Sequence, residues 1–240
     1  MSGHSLAKTI MATKMANDAK KGKIYSKYSR LITIAVKDGG GSGDPLKNAK
    51  LKAVIEQAKK MNMPKDNIER AIKKGTGELA GDVLEEVSFE GFGPGGIAII
   101  LEGITDNKNR TLGEIKTILN QNNGKLAGEG AVRWLFDKKG IITISSETKT
   151  KEELELSAIE SGAEDVLWAD NYLEIYTSPE NLENVKKSIE DQKLNVESAS
   201  IGYVAKEKIA VSEKEEHQAE NLFEALEDND AINNVYSNLK

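Results

Sequence analysis

Cysteine is absent from this 240-residue chain, and histidine occurs only twice. The first absence excludes disulfides, thiolate nucleophiles and Cys-based zinc sites, and it is compatible with a reducing cytoplasm. The second leaves His4 in a polar terminus and His217 on an acidic stretch, neither placed to serve as a catalytic base or to complete a metal site. No enzyme activity, cofactor or metal is therefore expected. Long apolar runs are also missing: none approaches the roughly 18 residues that a membrane span needs. Lys8 and Lys14 bracket an apolar segment too short for a signal-peptide core, so the expectation is a soluble, cytoplasmic protein without a membrane partner. Acidic neighbours such as Glu85-Glu86, Glu152-Glu153 and Glu215-Glu216 point apart on a strand or helix and make no carboxylate dyad.

Charge is what the chain has in quantity, and it is unevenly spread. Residues 1–80 carry 15 Lys and 2 Arg against 7 acids, a net +10, while residues 81–240 carry 16 bases against 32 acids, a net −16. A cationic end suits a polyanion, and an acidic body limits indiscriminate adsorption of the whole molecule to nucleic acid.

The pivot between these halves is Leu84 to Thr111. Val87 and Phe89 alternate with Ser88 and Glu90, a Gly/Pro cluster follows at 91–96, and Ile97 to Leu101 are apolar, which predicts strand, turn and buried strand. Phe92-Gly93-Pro94-Gly95-Gly96 lacks the Lys-Ser/Thr and the following helix of a phosphate-binding loop, so it is taken as a hairpin turn. Thr111-Leu112-Gly113-Glu114 has capping-box spacing and predicts a helix starting at Thr111. Asn107, Asn109 and Arg110 beside that helix start form a candidate anion site, with capping and bracing of the turn as the alternative role.

Upstream, the first twenty residues show no consistent helical face. Ile24, Tyr28, Leu31, Ile32 and Ala35 then mark a helix. Lys23, Lys27, Arg30 and Lys37 fall within about 80° of one another beside its apolar face. With Lys8, Lys14, Lys20 and Lys21 they are the candidate nucleic-acid-binding residues. A glycine-rich turn at 39–45 precedes a second helix around Leu51, Val54, Ile55 and Ala58. A third runs from Pro64 to a C-terminal glycine at Gly75. Downstream, Val132–Leu135 and Gly140–Ser145 suggest strand, with helix at 152–161, strands at 165–168 and 172–177, helix at 179–192 and strand at 196–204. That order is β-α-β-β-α-β, a ferredoxin-like unit. Trp134 and Trp168 fall in these strands, where core packing is the common role. An acidic helix at 213–230 and a strand at 232–236 close the chain. The expected class is α+β: a basic helical domain at 1–80, an α/β domain from 81–130 plus 206–240, and a ferredoxin-like domain at 131–205 inserted into it. Nothing in the pattern requires more than a monomer.

Five segments carry a family resemblance: Met1 to Ser5 (MSGHS), Asp18 to Lys23 (DAKKGK), Met63 to Gly75 (MPKDNIERAIKKG), Phe89 to Gly96 (FEGFGPGG) and Thr105 to Thr111 (TDNKNRT). Together they resemble the YebC/PmpR family along nearly the whole chain. The resemblance implies a three-domain cytoplasmic DNA-binding transcriptional regulator. The alternative it brings is a ribosome-associated translation factor that binds rRNA through the same basic domain, as in the related mitochondrial translational activator of cytochrome oxidase. After Ser5 the family continues Lys-Trp-x-x-Ile-Lys-x-x-Lys, whereas this chain has Leu6-Ala-Lys-Thr-Ile-Met-Ala-Thr-Lys14. Lys8 and Lys14 keep charge there, without the aromatic residue.

Overall fold

A computed structural model describes residues 18–145, 150–169 and 171–240. The chain begins with helices α1 (Asp18–Asp38), α2 (Ala49–Lys60) and α3 (Lys65–Thr76), followed by β1 (Glu85–Phe92), β2 (Ala98–Thr105), α4 (Lys108–Gln121) and β3 (Lys125–Ala127). It continues through β4 (Phe136–Ser145), α5 (Lys151–Glu160), β5 (Asp165–Ala169), β6 (Tyr172–Thr177), α6 (Leu182–Asp191) and β7 (Val196–Ala205), then α7 (Glu213–Glu227) and β8 (Ile232–Ser237).

The apolar stripes read from the sequence become one core in the helical unit: Tyr28, Ile32, Ala35 and Val36 meet Leu51, Ile55 and Ala58, and Met63, Ile68 and Ala71 close it. Tyr25 Oη donates to Asn62 O and Thr33 Oγ1 to Ala71 O, so α1 and α3 run side by side in the same direction. The Asn48 side chain caps α2 by accepting from Leu51 N and donates to Ala35 O, tying the glycine-rich turn to both helices. Pro64 is the N-cap of α3 rather than its first residue, and the left-handed C-terminal glycine is Gly77, not Gly75. Gly75 lies inside the helix because of packing. A Cβ there would stand 2.6 Å from Val36 Cβ and 2.9 Å from Thr33 O. Gly75→Ala is therefore expected to lower stability by about 1–3 kcal/mol through overpacking, despite alanine's better helix propensity. An unchanged urea midpoint would show that α1 and α3 separate without cost.

Two antiparallel four-stranded sheets follow, with orders β3-β1-β2-β8 and β5-β6-β4-β7. The first sheet packs one face on α4 and α7, joining Val87, Phe89, Ile99, Leu101 and Val235 to Ile115, Leu119, Leu222, Phe223 and Leu226. The second has ferredoxin-like order, and α5 and α6 cover it through Leu154, Ala158, Val185 and Ile189. All of its strands lie between β3 and α7 in sequence, so this unit is inserted into the one before it. The architecture is thus α+β, a three-helix domain followed by two α/β domains.

The passage between the sheets corrects an expectation. Residues 132–135 are not strand: Arg133–Leu135 form a 3-10 turn, and β4 starts at Phe136. The cause is Glu90 on β1, buried to 3% exposure. Its Oε1 accepts from Gly130 N at 2.9 Å, and its Oε2 from Val132 N at 2.8 Å and Arg133 N at 3.2 Å. Those N–H groups are drawn to a side chain and cannot serve a ladder. Trp134, expected in a core strand, is 67% exposed on the resulting turn, with its indole N–H donating to Ala131 O.

Candidate nucleic-acid interface

The basic stripe forms on α1 as the helical spacing requires, but most of its described part is already engaged. Lys27 Nζ donates to Glu227 O at 2.5 Å, Lys23 Nζ to Asp228 Oδ2 at 2.7 Å, and Arg30 Nη1 to Asp230 O at 2.6 Å. These acceptors cluster at the C-terminal end of α7, whose last carbonyls lack intrahelical partners and sit at the negative end of the helix dipole. α7 has a Ser212–Glu215 capping box at its start and no basic residue in its last turn. The cations that complete its C-terminus come instead from α1, some 200 residues away in sequence. Lys27 is only 3% exposed. Burial pulls its pKa down to about 8, against the upward pull of Glu227, Asp230 and Asp228.

The turn that follows is braced from its own domain. Asn229 Nδ2 donates to Glu114 on α4 at 2.9 Å, and Asn229 Oδ1 accepts from Ala231 N. Lys23, Arg30, Arg110, Glu114, Asp228 and Asp230 line one cleft between α1 and α4, with cations and acids interleaved.

The candidate anion site at 107–110 is spent within this arrangement. Asn107, not Thr111, is the N-cap of α4, accepting from Arg110 N at 3.0 Å. Asn107 precedes Thr111 by one helical turn and takes the capping position first. Thr111 is buried inside the helix and shares a 2.8 Å hydrogen bond with Thr105. The Arg110 guanidinium pairs with Asp106 and lies 3.6 Å from Glu114. Its bond to Asp106 holds that carboxyl below the usual range and raises Arg110 further. The described contacts are capping and bracing.

The remaining candidates divide in three ways. Lys8, Lys14 and the side chain of Lys20 lie outside the described residues. Lys21 is half-buried and engaged. Lys37 is exposed in the last turn of α1, with no ion pair among the described residues.

Lys37 has neighbours of the same kind. Lys73 and Lys74 occupy the last turn of α3, and Lys47 immediately precedes the cap of α2. Gly75 packs on Val36, and Gly43 lies under Ile72 and Thr76, so these segments meet at one end of the bundle. Lys37, Lys47, Lys73 and Lys74 are all exposed there, and no salt bridge engages them among the described residues. Lys50, close by, differs: Asp38 and Glu86 hold it and raise its pKa in spite of partial burial. The sequence showed Lys73-Lys74 as a helix-end signal but not as partners of Lys37, which only the packing of α1 on α3 brings near.

Polar contacts of this type tie the helical unit to the rest of the chain. Lys60 Nζ donates to Val196 O and Glu197 O on β7, both at 2.8 Å. The core cluster of the unit draws only on residues 24–72. Among the described residues, no group of acids and histidines is arranged to hold a metal ion, and no helix is long and apolar enough to cross a membrane.

Comparison with known proteins covers the whole of this geometry. Residues 5–78 match the model of the TACO1/YebC protein N-terminal domain, and residues 84–239 match that of the TACO1/YebC second and third domain. A probable transcriptional regulatory protein of Caldanaerobacter subterraneus is 46% identical, with 100% of this chain and 98% of that protein aligned. One from Natranaerobius thermophilus is 45% identical over 99% and 96%, respectively. The crystal structure of the conserved hypothetical protein Aq1575 from Aquifex aeolicus superposes with a TM-score of 0.88 at 41% identity, covering 95% of this chain and 93% of that one. The same three-part architecture, matched from end to end, places this chain in the TACO1/YebC family.

Proposed function

We propose that this protein is a non-catalytic, nucleic-acid-binding regulator of gene expression that acts in the cytoplasm on duplex DNA through its helical unit. The observation carrying this reading is the basic end of the bundle, where Lys37, Lys47, Lys73 and Lys74 stand exposed without acidic partners among the described residues. The names of its relatives, probable transcriptional regulatory proteins, support the regulatory part. Lysines at helix ends meet phosphates as point charges, so they supply affinity and register rather than sequence choice.

Such binding weakens with salt in proportion to the phosphates neutralised, with a slope of about 0.9 per phosphate on a log–log plot. Lys73→Gln with Lys74→Gln removes two of those charges. The double variant is expected to bind a 20-base-pair duplex roughly 5- to 10-fold more weakly, with the slope shallower by about two. Fluorescence anisotropy between low and physiological salt measures both. Equal affinity and equal slope in wild type and variant would remove this end of the bundle from the interface.

A further inference from the structure

The proposed function leaves the hydrogen-bonded part of the basic stripe without a role. Lys23, Lys27 and Arg30 are the central described part of the stripe on α1: Lys23 pairs with the Asp228 carboxylate, while Lys27 and Arg30 donate to the backbone carbonyls of Glu227 and Asp230, and the carboxylates of the turn act on Lys27 through space. Glu227-Asp228-Asn229-Asp230 puts three carboxylates within four residues at the negative end of a helix. Carboxylates there are unfavourable by themselves, because they add to the dipole's own negative charge. The segment therefore offers the α1 cations one carboxylate and backbone carbonyls in direct contact, with two further carboxylates beside them, a compact negative site held on a rigid support. The support is real, since Asn229 is tied to Glu114 of α4.

We infer that this contact is an autoinhibitory latch, in which the acidic turn 227–230 occupies the α1 cations that the phosphate backbone of a bound duplex takes in its place. The inference rests on the function proposed above and names its regulation. Because the turn is anchored to α4, opening moves the helical unit away from the turn, not the turn away from its domain. The other tethers of the helical unit suit such a movement: Lys60 donates to β7 carbonyls, Lys50 pairs with Glu86, and no described core cluster joins the helical unit to the rest of the chain. Contacts of this polar kind exchange for water or phosphate at far lower cost than a buried apolar interface. Opening would extend the exposed basic surface from Lys37 along α1 to Lys23, lengthening the track that a duplex can follow.

Neutralising the turn tests this. Glu227→Gln, Asp228→Asn and Asp230→Asn together preserve shape and remove the carboxylates. A matched control, Glu216→Gln, Glu220→Gln and Glu224→Gln, makes the same charge change on exposed positions of the same helix. Because apparent affinity scales with the fraction of open molecules, the first triple is expected to bind a 20-base-pair duplex about 10-fold more tightly than wild type. The control is expected to change binding less than about 2-fold. In wild type, adding duplex should speed cleavage of the exposed segment 77–83 in limited proteolysis, as the helical unit leaves the turn. Equal effects of the two triples, or no gain from the first while the Lys73/Lys74 variant still weakens binding, would overturn the latch and leave the proposed function standing. If wild type shows no salt-sensitive duplex binding, the proposed function falls and the latch falls with it.

Discussion

Glu90→Ala is expected to lower the stability of the chain by about 3–5 kcal/mol, from three backbone donors stripped of their acceptor at about 1–3 kcal/mol each, less what water recovers at the rim. Val132 N is the worst placed, because Val132 is fully buried and its N–H has no access to solvent. Glu90→Gln should be nearly as damaging. Both carboxylate oxygens accept N–H groups, and an amide can present only one acceptor while turning its own donors on the other site. The pH dependence is equally specific. Burial pushes the Glu90 carboxyl up, but the N–H groups of Val132, Gly130 and Arg133, with the Arg133 guanidinium, outweigh it and leave the pKa below its ordinary value of 4.5. A carboxyl whose folded pKa is depressed contributes stability that is complete above the unfolded value and is lost as pH falls through the folded one. The gap between wild type and Glu90→Gln should therefore be constant at neutral pH and shrink only below pH 4.5. Urea unfolding at pH 7, 5 and 3.5 measures it, and a gap that persists undiminished at the lowest pH would contradict the assignment.

Glu90 also marks where sequence legibility ends. In β1 it alternates with Val87, Phe89 and Gly91 as a solvent-facing acid would, and no local feature shows that a loop 40 residues later closes over it. Local periodicity worked wherever an element buries one face: the stripe of α1, the hairpin at 85–105 and the β-α-β-β-α-β order follow from patterns of 3.6 and 2. It failed where two signals competed within one turn. Asn107 and Thr111 both have capping chemistry, and Gly75 and Gly77 both suit a helix end; Asn107 takes the cap while Thr111 bonds to the neighbouring Thr105, and Gly75 is held inside its helix by Val36, packed from α1.

The stripe is the instructive case. Lys23, Lys27, Arg30 and Lys37 all fall on α1, yet a single-helix view cannot see that Glu227 to Asp230 meets three of them from the opposite end of the chain. The charge count was a better guide than it looked. A net +10 segment joined to a net −16 segment has its own anion at hand, and part of the surplus is consumed internally. What remains exposed at Lys37, Lys47, Lys73 and Lys74 is the smaller share.

Lys27→Glu should produce the second large effect, because it replaces the buried member of that internal contact with a charge of the wrong sign. The new carboxylate would lie beside Glu227, Asp228 and Asp230 with its cation gone, and an uncompensated buried charge costs about 3–5 kcal/mol. The helical core draws on other residues, so the loss should appear as undocking of residues 18–76 before global unfolding. Exposed segment 77–83 should then be cleaved faster in limited proteolysis. Lys27→Met separates charge from docking. With the folded pKa of Lys27 depressed to about 8 from 10.5, the unfolded chain binds the extra proton between those values. Stability from this group is therefore complete above pH 10.5 and is lost as pH falls through 8. Relative to Lys27→Met, wild type should gain on the order of 2 kcal/mol between pH 8 and 9.5. Taking the difference cancels the opposite trend of Tyr28, raised to about 12 by burial in both proteins. A flat difference across that window would mean that Lys27 is not held in the buried site, and a Lys27→Glu protein with unchanged cleavage at 77–83 would mean that the docking does not depend on it.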